Sequence, residues 1–212
     1  MTKPHITPLQ AIIHIAGWFP LAQLLYDFFT SNLTANPIQA IEQRTGLQAL
    51  TFLLLSLACT PLSAIFGWQE LTLRRKALGN YGFLYATLHV VTFFGIDYAF
   101  NLPAIWRDVA TKWYIIIGSL AFLLLLPLAI TSFNYWMKRL GKNWKRLHKL
   151  VYIISPLVIF HFFLVVKGSL SSLQGNLGQP LVYASLAAIL LILRIPPVKK
   201  AIIALRKQIR GR

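Results

Sequence analysis

The chain alternates between long apolar runs and short polar segments that hold most of its charged residues. A helix needs about 20 apolar residues to cross a bilayer core of about 30 Å. Because backbone polar groups in lipid must be hydrogen-bonded within the protein, we interpret these runs as helices rather than barrel strands. The pattern predicts an all-α fold, a polytopic membrane bundle of six transmembrane helices. The six runs cover about 9–29, 47–66, 78–96, 113–133, 150–166 and 181–195.

Lysine and arginine are divided unevenly between the segments that alternate along these runs. One side receives seventeen of the 21 basic residues, and the other side receives Arg44, Arg107, Lys112 and Lys167. Cytoplasmic loops of membrane proteins carry the excess of positive charge. The distribution therefore predicts that the N- and C-termini are both cytoplasmic and that three loops face outward.

Two parts are expected along the chain, a transmembrane domain over 1–197 and a basic amphipathic cytoplasmic tail over 198–212. The tail mixes Ile and Leu with Lys and Arg, which is typical of a segment on the lipid surface. We find no internal repeat. The longest loops, at about 97–112 and 134–149, are too short to fold as a nucleotide-binding domain. We therefore expect the protein to act inside the membrane or through partners.

Composition narrows the possible functions further. Hydrophobic residues make up 57% of the chain, charged residues 12%, and the mean hydropathy is +0.62, whereas soluble domains carry about 25% charged residues. This excludes a soluble enzyme and a disordered tail. The single cysteine, Cys59, excludes a disulfide scaffold, a four-thiolate iron–sulfur cluster and c-type haem. The net charge of +16 reflects basic segments between apolar runs, so we expect membrane lipid rather than nucleic acid as the partner of these charges.

Two histidines lie at matching depths on helices that run in the same direction. His89 follows Lys76 by thirteen residues, and His161 follows His148 by the same number. At 1.5 Å per residue, both are about 20 Å beyond the predicted cytoplasmic boundary. Imidazoles on facing helices can bind one haem iron from opposite sides.

Other occupants of this histidine pair fit less well. A zinc site needs three or four ligands, and we expect no acid or thiol at the level of the pair. A proton relay would need a nearby Asp or Glu. Haem is therefore the best-fitting occupant, and with both axial positions filled its iron favours electron transfer. Gly79, Gly82 and Gly95 leave room for a macrocycle or serve ordinary helix packing.

The other histidines allow more than one interpretation. His148 lies at the cytoplasmic interface beside Trp144 and is either an interfacial side chain or a ligand or electron-entry residue. The matching level of the third span holds Arg75 and Lys76, so a second haem of the same kind lacks an obvious partner. His14 in the first span is a ligand, a quinone contact or a polar group bonded to a neighbouring helix.

Several stretches together resemble one family. They are HIAGWFP at 14–20, NPIQAIEQRTGLQAL at 36–50, RRKALGNYGFLYATLH at 74–89 and LGKNWKRLHKLVY at 140–152, followed by His161. Their order and spacing are similar to those of the MsrQ family, formerly YedZ, in the ferric-reductase-like transmembrane superfamily. The combination is specific, although no single stretch would be.

The resemblance implies a multi-pass protein of the bacterial inner membrane that binds haem b and FMN. It implies an electron-transfer subunit rather than a complete enzyme. Electrons would come from the quinone pool or a cytoplasmic flavin reductase and go to MsrP, a periplasmic molybdopterin enzyme that reduces methionine sulfoxide in proteins. By position, His89 and His161 correspond to axial haem ligands, and His148 to the third family histidine.

Flavin or quinone contacts are less well defined by the sequence. Arginine side chains suit phosphate groups, and the candidates are Arg74, Arg75, Trp144 and His14. Two other functions compete with the electron-transfer subunit. One is a stand-alone ferric or metal reductase-type cytochrome b, and the other is a transporter or assembly scaffold in which the histidines bridge helices.

Overall fold

The computed structural model describes residues 6–167 and 177–210. The beginning of the predicted transmembrane domain and the end of the predicted tail lie outside the described residues. So do Lys3 and Arg212, which contribute to the charge count. A π-helical segment, Thr92–Asp97, continues α3, and a 3-10 turn, His148–Leu150, leads into α8. The α-helices are α1 (Pro8–Phe29), α2 (Pro37–Phe66), α3 (Glu70–Val91), α4 (Leu102–Thr111), α5 (Trp113–Ile130), α6 (Asn134–Leu140), α7 (Lys142–Leu147), α8 (Val151–Lys167), α9 (Gly178–Ile192) and α10 (Pro196–Arg210).

Four segments are long and apolar enough to cross a membrane on their own. Two bent pairs of helices also qualify when each pair is taken as one span: α3 with α4, at 117°, and α9 with α10, at 77°. The described residues thus hold four candidate spans, or six when each bent pair is counted as one; the all-α, multi-pass fold is confirmed, and the number of spans stays a prediction. The sidedness of the termini stays a prediction. The four single spans are Pro8–Phe29, Pro37–Phe66, Trp113–Ile130 and Lys142–Val166.

The second span begins ten residues earlier than the apolar run at 47–66 predicts. The side chain of Asn36 accepts a hydrogen bond from the backbone N–H of Gln39, and Pro37 occupies the first helical position. Both features favour a helix start. The polar residues expected in an outer loop are therefore helical, and this places Glu42 and Gly46 on α2.

The central element of the bundle is α2. Its apolar side chains reach three separate clusters, one shared with α1 and α3, one with α8 and α9, and one with α5 and α8. Close packing of α3 on α2 depends on Gly82, because a Cβ there would lie 3.3 Å from the backbone nitrogen of Leu53. Gly79 likewise faces Ser56 of α2. For these two glycines the packing interpretation holds, rather than room for a macrocycle.

The segment between α3 and α5, which is predicted to be an outer loop, is not a simple loop. It contains the amphipathic helix α4, whose first turn is capped by the Asn101 side chain. The carboxylate of Asp108 accepts hydrogen bonds from the Tyr98 hydroxyl and from Lys112 Nζ. Burial, together with this hydrogen bond, raises the pKa of Tyr98 to about 12. The neutral phenol therefore holds α4 to the end of α3 over the whole physiological pH range.

A proline in α2 leaves a carbonyl that another helix satisfies. Pro61 has no N–H to donate to the carbonyl of Leu57, four residues earlier. Arg194, after α9, donates to that carbonyl from Nε at 3.1 Å and from Nη2 at 2.7 Å. Arg206 of α10 donates to the carbonyls of Ser63 and Ala64 near the end of α2. Arg206 thus caps carbonyls at the negative end of the α2 dipole, whereas Arg194 satisfies a carbonyl within the helix.

A tyrosine hydroxyl connects α1 to α3. Tyr85 is fully buried, and its hydroxyl donates to the Gly17 carbonyl at 2.7 Å and accepts from the Leu21 N–H at 3.1 Å. In an unbroken helix, Leu21 would donate directly to Gly17. The hydroxyl therefore lies in the hydrogen-bond ladder of α1 next to Pro20, where a helix is already prone to bend.

We expect Tyr85→Phe to lower the free energy of unfolding by about 1 kcal/mol, because the hydrogen bonds of the buried hydroxyl to Gly17 and Leu21 are lost. The two backbone groups can then bond each other, which limits the cost. Thermal unfolding in detergent measures the change. Exposed Tyr135, whose hydroxyl accepts from Arg139, offers the matched control Tyr135→Phe, expected to stay within about 0.5 kcal/mol of wild type. Equal stability of both variants would contradict the assigned role.

Candidate functional site

The structure brings His89 and His161 together between α3 and α8. Their ring centroids are 6.2 Å apart and their planes meet at 78°. Each side chain is partly buried within the bundle. The two imidazoles that the thirteen-residue spacings predict at one level therefore lie next to each other.

Both rings are oriented by backbone carbonyls of the neighbouring helices. His89 Nδ1 lies 2.9 Å from the carbonyl oxygen of Glu42, and His161 Nδ1 lies 2.8 Å from that of Tyr114. A carbonyl only accepts hydrogen bonds, so each Nδ1 carries the proton and donates. The lone pair of each neutral ring is then on Nε2, the nitrogen left free for a metal.

Glycines allow both rings to reach these carbonyls. A Cβ at Gly46 would lie 3.2 Å from His89 Nδ1, and a Cβ at Gly118 would lie 2.7 Å from Cε1 of His161. Gly46 follows Glu42 by four residues, and Gly118 follows Tyr114 by four residues. Each glycine is therefore one helical turn after the carbonyl that its histidine contacts.

The same arrangement of contacts occurs twice at a constant separation along the chain. Glu42 and Tyr114, Gly46 and Gly118, and His89 and His161 are each 72 positions apart. A matching signal is present in the sequence, because GLQA at 46–49 and GSLA at 118–121 share the pattern Gly-x-x-Ala. The signal is too short to recognise without the contacts. Sequence reasoning therefore missed both glycines and both carbonyls.

The spacing of the rings fits a single metal ion between them. Two imidazoles that bind one ion from opposite sides, each at a metal–nitrogen distance of about 2 Å, have ring centroids about 6 Å apart. The early start of α2 brings Glu42 to this level, where its backbone carbonyl is the atom that contacts His89. Among residues 6–167 and 177–210, no group of three or more His, Cys, Asp or Glu could hold a metal. A two-nitrogen donor set with protonated Nδ1 atoms suits the axial positions of haem.

His148 lies apart from this pair. Its ring packs against Trp144 with centroids 4.0 Å apart, and its Nδ1 lies 3.1 Å from the Trp144 carbonyl. Trp144 in turn donates from Nε1 to the carbonyl of Thr131. The position 72 residues before His148, which would correspond to His89 in the first pair, is Lys76, and its Nζ donates to Asn134. The described residues thus contain no second histidine pair of the same kind.

The other candidate contacts do not form one site. Arg74 is held by Glu70 and Thr7, and Arg75 lies near Arg194, Tyr152 and His148 on another side of α3. His14, another of the four candidates, has its Nδ1 2.9 Å from the Tyr81 hydroxyl. The His14–Tyr81 pair lines a groove of about 420 Å³ between α1 and α3, which also includes Lys76, Asn80 and three apolar residues, Leu73, Ala77 and Leu84.

Comparison with known proteins places the chain in a family. Residues 16–159 match the family described as ferric reductase like transmembrane component. A protein-methionine-sulfoxide reductase haem-binding subunit MsrQ from Herminiimonas arsenicoxydans is 38% identical over 195 residues, covering 92% of this chain and 87% of the relative.

Two further relatives carry the same name. The protein from Rhodospirillum rubrum is 39% identical and covers 87% of this chain and 86% of its own length. The protein from Caulobacter vibrioides is 35% identical, with 92% and 90% covered. Coverage of this extent leaves no large part of either chain unmatched. The chain therefore belongs to the MsrQ proteins, within the family of ferric reductase-like transmembrane components.

Proposed function

We propose that this chain is the membrane-embedded, haem-binding electron-transfer subunit of a protein-methionine-sulfoxide reductase system. The observation that carries the proposal is the pair of imidazoles, His89 and His161, 6.2 Å apart with both Nδ1 atoms engaged. In this proposal His89 and His161 would hold haem b through their Nε2 atoms. The names of the relatives, which describe haem-binding subunits, support it.

Two nitrogen ligands leave no coordination position for a substrate. Haem held in this way supplies a one-electron carrier rather than a site for oxygen chemistry. The chain's own residues orient the imidazoles through the carbonyls of Glu42 and Tyr114. We therefore expect this subunit to relay electrons and a separate protein to carry out the reduction of methionine sulfoxide.

The direction of transfer follows from depth and charge. Counted from the basic segments, the pair lies beyond the bilayer midplane, toward the predicted outer side. The donor is the quinone pool or a cytoplasmic flavin reductase. The acceptor is an MsrP-like molybdopterin enzyme in the periplasm of a cell whose inner membrane holds this chain.

Electron entry is assigned to the predicted cytoplasmic half. His148 with Trp144, and His14 with Tyr81, provide aromatic groups in this half. Arg75 makes no salt bridge to a carboxylate among the described residues, and it lies near a second cation, Arg194, whose guanidinium is bound to the Leu57 carbonyl. This arrangement suits an anionic group such as the phosphate of FMN. Arg74 is less suited, because Glu70 already neutralises it.

Reconstitution tests the proposal. Purified protein in lipid nanodiscs is reduced with a quinol in one sample, and with a flavin reductase, NAD(P)H and FMN in another, while the haem spectrum is followed. We expect a b-type spectrum that is reduced by at least one donor. Addition of a periplasmic MsrP-type reductase with oxidised methionine should reoxidise it.

Two results would contradict this function. A colourless protein from haem-replete cells would favour the scaffold alternative. Reduction of ferric chelates by the isolated protein with NAD(P)H, and no reoxidation by the periplasmic enzyme, would favour a stand-alone ferric reductase.

A further inference from the structure

The two histidine rings are held by equivalent cradles, yet the rings are close to perpendicular. Each cradle consists of a helix carbonyl and the glycine one turn later: Glu42 and Gly46 for His89, and Tyr114 and Gly118 for His161. The planes of the rings meet at 78°. The angle is thus a property of how the two α-helical cradles are placed around the bundle.

We propose that Gly46 and Gly118 are positioning residues that, through these carbonyls, hold the axial imidazoles nearly perpendicular and tune the potential of the bound haem. The inference rests on the proposed function, since it concerns haem ligands. It goes beyond that function because it assigns the ring orientation, and not only the ligands, to four residues outside the histidines.

The physical basis has two parts. A ring that donates from Nδ1 to a fixed carbonyl loses rotation about its Cβ–Cγ bond, because only one orientation keeps the hydrogen bond. A side chain at either glycine would occupy space that the ring needs. At Gly46 the nearest ring atoms would be 3.2 and 3.3 Å from the new Cβ, and at Gly118 they would be 2.7 and 2.8 Å away. The displacement forced on His161 is therefore larger than that forced on His89.

Ring orientation has a spectroscopic signature. Parallel imidazoles interact with the same one of two iron d orbitals and so make the energies of the two orbitals different. Perpendicular imidazoles each interact with a different one, which leaves the two energies nearly equal. With perpendicular imidazoles, low-spin ferric iron shows a single, strongly anisotropic low-field signal in electron paramagnetic resonance. With parallel imidazoles it shows a rhombic three-line spectrum. The hydrogen bond adds a second readout, because donation from Nδ1 makes the ligand more basic and stabilises ferric iron.

The experiment compares the wild-type haem protein with Gly46→Ala, Gly118→Ala and Gly79→Ala. Wild type should show the anisotropic low-field signal. Gly46→Ala should retain haem, move this signal toward smaller anisotropy and raise the midpoint potential, because the His89 ring moves away from its carbonyl. Gly118→Ala should produce the larger change in both quantities, or lose haem. Gly79→Ala adds a Cβ 3.5 Å from Ser56 Oγ, so it controls for alanine in a glycine-containing helix and should match wild type.

A rhombic three-line spectrum in wild type would overturn the inference. So would a Gly46→Ala protein with full haem and an unchanged signal and potential. If Gly118→Ala does not fold, wild type and Gly46→Ala still decide the question. Failure here differs from failure of the proposed function, because haem would remain bound by both histidines and only its ligand orientation would be other than stated.

Discussion

We expect His89→Ala and His161→Ala each to abolish stable haem binding. Loss of a residue that orients a metal ligand costs about 10–100-fold in affinity, and removal of the ligand itself should cost more. The imidazoles stand 6.2 Å apart with no third His, Cys, Asp or Glu grouped with them among the described residues. No neighbouring side chain can therefore replace either one. The Soret band and the pyridine haemochrome of purified variants measure the loss.

Two further histidine variants provide the comparison. His14→Ala should keep full haem, because His14 pairs with Tyr81 between α1 and α3. His148→Ala separates two roles for this residue. A fall in haem per protein would identify it as a ligand, and unchanged haem with slower reduction by the donor would identify it as an electron-entry residue. Full haem in both His89→Ala and His161→Ala would disprove the ligand assignment.

Arg194→Leu should cause the second large effect, a loss of about 1–3 kcal/mol in the free energy of unfolding. The substitution leaves the Leu57 carbonyl without the guanidinium that compensates for Pro61. An unpaired carbonyl in an apolar bundle is more costly than one at an aqueous surface. Thermal unfolding of the purified protein in a fixed detergent measures the change.

A double-mutant cycle makes this prediction specific. In Pro61→Ala the new backbone N–H can donate to the Leu57 carbonyl, as in any helix. Arg194→Leu should therefore cost less in the Pro61→Ala background than in wild type. Arg139→Leu, at a residue that donates to the exposed Tyr135, serves as the control and should change stability by less than about 0.5 kcal/mol. Equal costs of Arg194→Leu in both backgrounds would show that the carbonyl is not the reason.

Much of the site could be predicted because the depth of each histidine along its helix depends only on position in the sequence. Depth in a membrane helix is a count of residues, and His89 and His161 each lie thirteen residues beyond a residue of a basic segment, Lys76 and His148 respectively. The second span was harder. Its apolar run starts at 47, yet Asn36 and Pro37 start the helix earlier, and hydropathy does not register a capping side chain. For this reason Glu42 was expected in a loop, away from the pair that its carbonyl supports.

The phase of His148 was also beyond a residue count. A regular helix from His148 to His161 would place the two side chains about 220° apart. Residues 148–150 form a 3-10 turn instead, and a 3-10 turn advances by a larger angle per residue. The contact of His148 with Trp144, four residues earlier, is local.

By itself, the sequence determined that this is an all-α, multi-pass membrane protein and which two histidines lie side by side. These properties depend on the length of apolar runs, because lipid demands that each crossing satisfy its own backbone. Tertiary structure alone decided which carbonyl orients each ring, which glycine admits it and which arginine caps the carbonyl beneath Pro61. Such contacts join residues 47 and 137 positions apart, and they form only when helices pack at particular angles and rotations, which composition and periodicity do not encode.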